Sequence, residues 1–567
     1  MGNGAFWRRA CILLVGLVVA RGVMYLCVLP PFEGWDEYQH VGYVEHVVET
    51  GRSAVLSEAI VPPALIEAAV ALPHPESVAR SQLKESGVLG YSAFWEREQR
   101  GRPPKYRPGA PPIGLYQAQH ASLYYRLAAP VFSRLGGVAN LRASVAGLRF
   151  VNVALTAAAV AIVLGTLRRV MRSERDAALV GLVMASHPLF LLNGARVAND
   201  ALGVCLAAAA VAIGFRLLDD PGDRPRRFFG TALALGVTAG FAALAKATNF
   251  ALVPFLMFGL IAGATRHRTS PRRAALAALL VAAGFLAATQ AEMRFNLAHF
   301  GTATAMQEAV LNARRGRTPA DLIRVATQMD WGKLTRRLWL RDVFFAGGWS
   351  VLRTHPEVTK LYQLAVTIGL AGWGRLAASA LLRRLRRSGG DFSPFTSAWV
   401  PIGCAILVLS YSAALGYHRV HSTLAWGEAT TNPWYACPAL PWFLALAVSG
   451  GLAWTRRPRL RAVVPLTIAA AGLAAEPVAV WGMMAPTYSG GASGFEALSR
   501  IAWVQPAALG TPVLLAAIAL EMMILIALAR GWSRFDAGVS PNAPALRGPR
   551  GRADSYVETV TKPASLA

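Results

Sequence analysis

Long apolar runs without charged residues are the feature of this sequence that most limits its fold. They recur along the whole 567-residue chain, in which only 16% of residues are charged, whereas a soluble protein carries about 25%. A helix of about 20 apolar residues satisfies all of its own backbone hydrogen bonds, so it can cross a lipid bilayer. The sequence therefore predicts an all-α polytopic membrane protein.

The apolar runs predict about twelve transmembrane helices. Their expected positions are 10–29, 144–167, 177–194, 198–217, 229–246, 248–265, 274–292, 361–382, 396–416, 436–454, 462–483 and 510–530. The first run resembles a signal peptide, but no small-residue cleavage site follows it, so we interpret it as a retained helix. The five cysteines are far apart and form no CxxC pair, so neither a zinc site nor a disulfide framework is indicated.

Clusters of basic residues indicate how the spans are oriented. The net charge is +26, which in a soluble protein would suggest a nucleic-acid partner. Here the arginines cluster between apolar segments and follow alternate spans, so we expect no nucleic acid. The positive-inside rule then places both termini in the cytoplasm. The Ala- and Arg-rich, Lys-poor composition is typical of a GC-rich bacterial genome, so the expected location is the bacterial cytoplasmic (inner) membrane.

This orientation divides the chain into a transmembrane domain at 1–530 and a tail. Loops at 30–143 and 293–360 are predicted to be extracytoplasmic. The first of them contains PPALIEAAVALPHPESVARSQLKE, predicted to be a helix on the membrane surface, and the irregular stretch QRGRPPKYRPGAPP. The segment 531–567 is rich in Pro, Gly, Ala and Ser and is predicted to be a disordered cytoplasmic tail.

Acidic residues immediately after the first span are the first candidates for chemistry. Asp36, Glu37 and His40 follow Pro30 and Pro31, which end the helix at the membrane surface. Carboxylates beside hydrocarbon are costly unless they have a partner or a water-filled cavity. The structural alternative is that Asp36 caps the next helix, with a loose capping box three residues later.

Other polar residues lie at the ends of later spans. His120 and Tyr124 precede the second span, where aromatic residues are usually interfacial anchors. Arg196 and Asp200 flank a short turn, where Asn199 and Asp200 are also ordinary cap residues.

Two cations and one tyrosine complete the set of candidates. Lys246 and Arg294 lie at the ends of spans, where a basic side chain can bind a lipid phosphate. The structural alternative is that these side chains only extend from the apolar region to the membrane surface. Tyr435 begins a late span, close to His418 and His421; two histidines alone are too few for a metal site, so no metal ligand is assigned.

Five short motifs, taken in order, resemble those of the GT-C membrane glycosyltransferases, in particular the bacterial relatives of protein O-mannosyltransferases and aminoarabinose transferases. The motifs are PPFEGWDEYQH, QHASLYY, RVANDAL, AKATNFALVP and TNPWYACPALP. In the second, Ala121 and Ser122 replace two prolines of the family pattern. In the last, Pro433 or Trp434 replaces its arginine.

The resemblance implies a GT-C-like helical bundle and a sugar donor carried on a polyprenyl phosphate. It implies transfer of a hexosyl or pentosyl group to a hydroxyl of a glycan, lipid or protein, on the extracytoplasmic face, in cell-envelope glycan or glycoprotein synthesis. We expect Asp36 to be the general base, and Glu37 and His40 to orient the site or to help bind a divalent cation (Mg²⁺ or Mn²⁺). Asp200 is the expected second acidic residue. Lys246, with Arg196 or Arg294, is expected to hold the donor phosphate.

Two other classes of function remain open from the sequence. A lipid-linked substrate flippase or transporter predicts charged or broken helices at mid-membrane depth, and only Glu292 and Glu476 approach that pattern. A non-catalytic GT-C-like assembly factor is consistent with the departures in the second and fifth motifs. An assay for donor binding or transfer separates the last class from an enzyme.

Overall fold

The computed structural model describes residues 3–220, 224–344, 347–350, 352–385, 393–455 and 457–538. These residues form α-helices and short turns, with isolated β-bridges in place of strands. The helices are α1 (Asn3–Val28), α2 (Glu37–Thr50), α3 (Pro63–Val70), α4 (Glu76–Arg80), α5 (Tyr91–Gln99), α6 (Leu123–Arg134), α7 (Leu141–Val170), α8 (Glu174–Ser186), α9 (Pro188–Gly194), α10 (Asp200–Asp219), α11 (Pro225–Ala245), α12 (Val253–Arg266), α13 (Pro271–Phe300), α14 (Gln307–Arg314), α15 (Pro319–Gln328), α16 (Trp331–Arg336), α17 (Pro356–Leu385), α18 (Trp399–Trp426), α19 (Leu440–Leu452), α20 (Pro458–Arg461), α21 (Val463–Ala479), α22 (Ala485–Tyr488), α23 (Gly494–Val504) and α24 (Thr511–Gly538).

The all-α polytopic class predicted from the sequence is confirmed. Nine helical segments among the described residues are long and apolar enough to cross a membrane, and a tenth is the pair α8–α9, bent by 62°. Pro188 begins α9 and cannot continue the helical hydrogen bonding of α8. The other two predicted spans coincide with α17 and with α19, an apolar helix of 13 residues. The count of twelve spans therefore stays a prediction.

The helices that carry the candidate residues pack directly on one another. α1 contacts α7, α8 and α24, while α10 packs between α7 and α11. α11 and α13 approach closely because Gly236 faces α13: a Cβ there would lie 2.1 Å from the Val281 carbonyl oxygen. Small residues permit such contacts in membrane bundles. The ends of α1, α10 and α11 are thereby fixed next to one another.

An ion-pair cluster lies inside this bundle. The Arg21 side chain of α1 is fully buried and forms an ion pair with Glu476 of α21. Its Nε atom is also 3.5 Å from Glu521 of α24. A buried arginine requires such partners because an unpaired charge in an apolar environment is costly. The cluster joins three helices and explains why Glu476 is tolerated within the apolar part of α21.

Three of the loop and tail predictions need correction or completion. The surface helix predicted within 62–85 is two short helices, α3 and α4, because Pro73 and Pro75 interrupt it. Of the stretch predicted to be irregular, Gln99 ends α5 and residues 100–112 are irregular. The segment 293–360 is not a simple loop, since it contains the end of α13 and the helices α14 to α16. α24 continues to Gly538, and the remainder of the predicted tail, 539–567, lies outside the described residues.

Candidate active site

A cavity of about 920 Å³ lies between the loop after α1, the start of α10, the α11–α12 junction, and the segments around α14 and α18. Its walls combine polar side chains with apolar ones such as Phe250, Met293 and Trp434. Most of the predicted site residues line it: Asp36, His40, His120, Arg196, Asp200, Lys246 and Tyr435. Five separate stretches of the sequence therefore contribute to one site.

Asp36 has an unusual backbone conformation at the start of α2. Its φ angle is 59°, in the left-handed region that only a few per cent of non-glycine residues adopt. The predicted cap is wrong, because the Asp36 side chain makes no capping hydrogen bond. Its Oδ1 atom instead accepts a hydrogen bond from the Tyr116 hydroxyl at 2.5 Å. The carboxylate is therefore directed into the cavity.

The loop that carries Tyr116 is fixed by Gln39. Its amide donates to the Gly114 carbonyl at 3.1 Å and its oxygen accepts from the Tyr116 N–H at 3.0 Å. Burial raises the pKa of the Asp36 carboxyl, although the Tyr116 hydrogen bond and the positive charge of Arg196 oppose this effect. A raised pKa brings a carboxylate closer to the pH at which it can act as a general base.

Asp200 joins the two cations of the cavity. Its Oδ2 atom lies 2.9 Å from Arg196 Nη2 and 3.2 Å from Lys246 Nζ. The predicted cap is wrong here too: Asn199 donates to the Ala245 carbonyl at 2.8 Å and accepts from Lys246 at 3.3 Å. These bonds connect the start of α10 to the end of α11, so the cations are held side by side.

Both cations keep donor capacity toward the cavity. Lys246 has three N–H bonds and two protein partners, Asn199 and Asp200. The Arg196 guanidinium donates to the Trp35 carbonyl, to Asn193 and to Asp200, which leaves one of its five N–H bonds. Asp200 is in direct contact with both cations, and their remaining N–H donors are suited to an anion with several acceptor oxygens.

Histidines form the side of the cavity next to Asp36. His40 Nδ1 shares a hydrogen bond of 2.9 Å with the Tyr125 hydroxyl, and the rings of His40 and His120 are parallel with centroids 6.2 Å apart. Burial, with a smaller contribution from Lys246, lowers the pKa of both histidines well below the usual value. Both rings are therefore neutral near pH 7, and they offer hydrogen bonds without adding charge.

Glu37 does not line the cavity, and this changes the role expected for it. Its side chain is fully buried and accepts hydrogen bonds from the backbone N–H groups of Phe32, Gly34 and Val197 and from Arg149. A Cβ on Gly34 would lie 2.7 Å from the Arg196 Cβ, so glycine is needed for this close approach. Glu37 thus positions the loop of Asp36 against the turn of Arg196 and does not contact the cavity itself.

Tyr124 and Arg294 also lie outside the cavity wall. Tyr124 is buried behind it, and the adjacent Tyr125 makes the contact to His40 instead. Arg294 is exposed on α13, where Glu292 and Met293 face the cavity. The structure therefore favours Arg196, of the two arginines considered, as the partner of Lys246.

Three functional candidates were missed or undervalued in the sequence. Tyr116 lies just before the His120 motif, but only the folded loop brings it to Asp36. Arg149 lies inside a predicted span, where an arginine signals a buried partner. Glu308 lies on α14, in a segment predicted to be a loop, and lines the cavity. Nothing in the sequence around Glu308 indicated that its side chain would face the cavity.

Among the residues that the structure describes, no group of three His, Cys, Asp or Glu side chains is placed to hold a metal ion. The Mg²⁺ or Mn²⁺ expectation stays a prediction. Positive charge in the cavity comes from Arg196 and Lys246.

The fold and the cavity define a class: a multi-pass helical membrane protein with a carboxylate and paired cations in one cavity at the ends of its spans. Residues 135–289 match the family model described as dolichyl-phosphate-mannose-protein mannosyltransferase. The match covers less than half of the chain, and it agrees with the resemblance to GT-C membrane glycosyltransferases that the motifs indicate. Comparison with curated proteins gave no match.

Two solved structures are similar over most of this chain. ArnT from Cupriavidus metallidurans, bound to undecaprenyl phosphate, is 14% identical with a TM-score of 0.42, and the alignment covers 95% of this chain and 79% of ArnT. The Archaeoglobus fulgidus oligosaccharyltransferase, tethered to an acceptor peptide, is 12% identical with a TM-score of 0.37, and the alignment covers 87% of this chain and 57% of that one.

Proposed function

We propose that this protein transfers a sugar from a polyprenyl-phosphate donor to an acceptor hydroxyl at the extracytoplasmic face of a bacterial inner membrane. The observation that carries the proposal is the presence of Asp36 and the Arg196–Lys246 pair in the wall of one cavity. The family match supports glycosyl transfer as the general chemistry. The positive-inside pattern supports the extracytoplasmic face, with both termini in the cytoplasm.

The reaction places two demands on the cavity, and different side chains of its wall meet them. Asp36 removes the proton from the acceptor hydroxyl as its oxygen forms a bond to C1 of the sugar. The bond between C1 and the phosphate oxygen breaks, and the polyprenyl phosphate leaves with its negative charge. Lys246 and Arg196 stabilise that charge with fixed N–H donors, which is most effective in a site partly shielded from water.

The apolar part of the cavity wall is suited to the lipid portion of such a donor. Phe250, Ala251 and Met293 line the cavity from the α12 and α13 side, next to Lys246 at the α11–α12 junction. A lipid that enters between these helices has its phosphate at the cations and its first isoprene units against apolar side chains. The acceptor then approaches from the side of Asp36 and His120.

The proposal is tested with purified protein in proteoliposomes that contain undecaprenyl-phosphate sugars labelled in the sugar. A panel of hexosyl and pentosyl donors is supplied with a cell-envelope extract as acceptor, and release of undecaprenyl phosphate is measured. We expect at least one donor to be consumed by the wild type and by Glu49→Gln, which neutralises an exposed carboxylate on α2. Asp36→Asn should reduce this rate by about 100-fold or more, the usual range for a general base.

Two results oppose the proposal in different ways. Equal donor consumption by the wild type and Asp36→Asn rejects Asp36 as the base. Binding of undecaprenyl phosphate by the wild type without consumption of any donor in the panel favours the non-catalytic assembly factor.

A further inference from the structure

Glu308 is a buried carboxylate in the cavity wall with no role in the mechanism described above. Its side chain is 10% exposed and lies among the cavity-lining residues. One oxygen, Oε1, is 3.7 Å from His418 Nε2 and accepts a 3.4 Å hydrogen bond from Thr430. The other oxygen, Oε2, has no hydrogen-bond partner among the described residues. A buried carboxylate oxygen without a donor is costly, so a ligand donor at this position is favoured.

The helix that carries Glu308 is fixed against α18. The Asn312 amide donates to the His421 carbonyl at 3.0 Å, and Arg315 donates to the Ala425 carbonyl at 2.6 Å. At the other end of α14 the Gln307 N–H donates to Gln119 at 3.2 Å. The short helix is therefore held at both ends, and Glu308 keeps a defined position in the cavity wall.

Tyr435 lies close to both Lys246 and the Glu308–His418 pair. The Lys246 Nζ atom is 5.1 Å from the centre of the Tyr435 ring, and the centre of the His418 ring is 5.6 Å from the same point. His418 also shares a 2.7 Å hydrogen bond with Thr431 through Nδ1. Lys246, Tyr435 and the Glu308–His418 pair are thus neighbours in the cavity wall.

We propose that Glu308 and His418 form a subsite that binds hydroxyl groups of the donor sugar and so contributes to the choice of sugar. This inference rests on the proposed function, because it requires the phosphate to bind at Lys246. A sugar attached to that phosphate extends over the Tyr435 ring, whose face accepts the apolar C–H side of a sugar. Its hydroxyls on the far side then donate to Glu308.

The chemistry of the pair suits a sugar ring. Sugar hydroxyls are donors that need strong acceptors, and hydrogen bonds to an ionised carboxylate are about twice as strong as neutral ones. The free Oε2 atom accepts one hydroxyl without losing a protein contact. A sugar that lacks this hydroxyl, or presents it with the opposite configuration, leaves the carboxylate unpaired, which selects against it.

The experiment compares two lipids that differ only in the sugar. Dissociation constants are measured for undecaprenyl phosphate and for the undecaprenyl-phosphate sugar of the panel that binds the wild type most tightly, with purified protein in detergent. The variants are Glu308→Gln, which keeps the shape of the side chain, and Lys246→Met. Glu357→Gln is the matched control, since Glu357 is exposed on α17.

We expect Glu308→Gln to weaken binding of the sugar-bearing lipid by about tenfold, the effect of one hydrogen bond to a charged group. Its affinity for undecaprenyl phosphate should stay within about twofold of the wild type, which also shows that the variant is folded. Lys246→Met should weaken binding of both lipids. Deoxy analogues of the sugar identify the hydroxyl concerned, because the analogue that lacks it should bind wild type and Glu308→Gln equally.

Three outcomes overturn the inference. If the wild type and Glu308→Gln bind the sugar-bearing lipid with equal affinity, Glu308 does not bind the sugar and the proposed subsite is rejected. Equal loss of affinity for both lipids in Glu308→Gln indicates a structural role for Glu308. Failure of the wild type to bind undecaprenyl phosphate at all rejects the proposed function, and the subsite with it, and is recognised before any variant is compared.

Discussion

Neutralising Glu37 is expected to destabilise the protein more than any other single carboxylate change in the first loop. Its Oε1 atom accepts from Arg149 Nε and the Val197 N–H, both at 2.7 Å. Its Oε2 atom accepts from Arg149 Nη2 at 2.5 Å, from the Phe32 N–H at 2.9 Å and from the Gly34 N–H at 3.3 Å. Glu37→Gln replaces one of these acceptor oxygens with an NH₂ group that faces donors.

The expected size follows from the burial of both partners. The side chains of Glu37 and Arg149 are 0% and 1% exposed, so solvent screens their interaction very little. Loss of one member of a buried ion pair costs about 3–5 kcal/mol because the other charge stays buried without compensation. We therefore expect Glu37→Gln to lower the free energy of unfolding by about 3–5 kcal/mol.

The assay is unfolding of the purified protein in mixed micelles of increasing SDS content, followed by circular dichroism. Glu58→Gln, at an exposed position of the same loop, is the matched control and should stay within about 0.5 kcal/mol of the wild type. Combination of Glu37→Gln with Arg149→Met should cost less than the sum of the two single changes. A loss below about 1 kcal/mol for Glu37→Gln, or strict additivity in the double variant, refutes the reasoning.

Three further predictions concern the cavity and the bundle. Tyr116→Phe removes a hydrogen bond that favours ionised Asp36, so the pKa of Asp36 rises further and the acid limb of the pH–rate profile should move to higher pH; an unchanged limb contradicts this. Lys246→Met should weaken binding of undecaprenyl phosphate by about tenfold or more, as expected for a lost charged hydrogen bond, and unchanged affinity argues against this phosphate site. Arg21→Met leaves Glu476 unpaired within the bundle and should lower the thermal unfolding temperature while the affinity for undecaprenyl phosphate persists; equal loss of both would link the cluster to the site.

The fold class and several polar residues of the cavity wall were predictable from the sequence, for a physical reason. A polar residue at the end of an apolar span stands out against its surroundings, so Asp36, Arg196 and Lys246 were visible as anomalies in an apolar context. The constraint that spans run back and forth then brings alternate span ends to the same side of the membrane. No knowledge of individual contacts is needed for that inference.

The roles of neighbouring residues were not predictable in the same way. Asp36 and Glu37 are adjacent in sequence, yet one lines the cavity and the other is buried against Arg149, because the left-handed backbone at Asp36 turns the two side chains apart. Both cap interpretations fail because tertiary partners, Tyr116 for Asp36 and Ala245 for Asn199, replace the local capping bonds. Such partners are far away in the sequence, and local patterns carry no information about them.

A structure of the protein in complex with undecaprenyl phosphate, in a lipid nanodisc, tests the central claim most directly. The account predicts phosphate oxygens within hydrogen-bond distance of Lys246 Nζ and the Arg196 guanidinium, about 2.7–3.2 Å. It also predicts that the phosphate shares one cavity with the Asp36 carboxylate. A phosphate bound at the other end of the bundle, or in a pocket that Asp36 does not reach, contradicts the account.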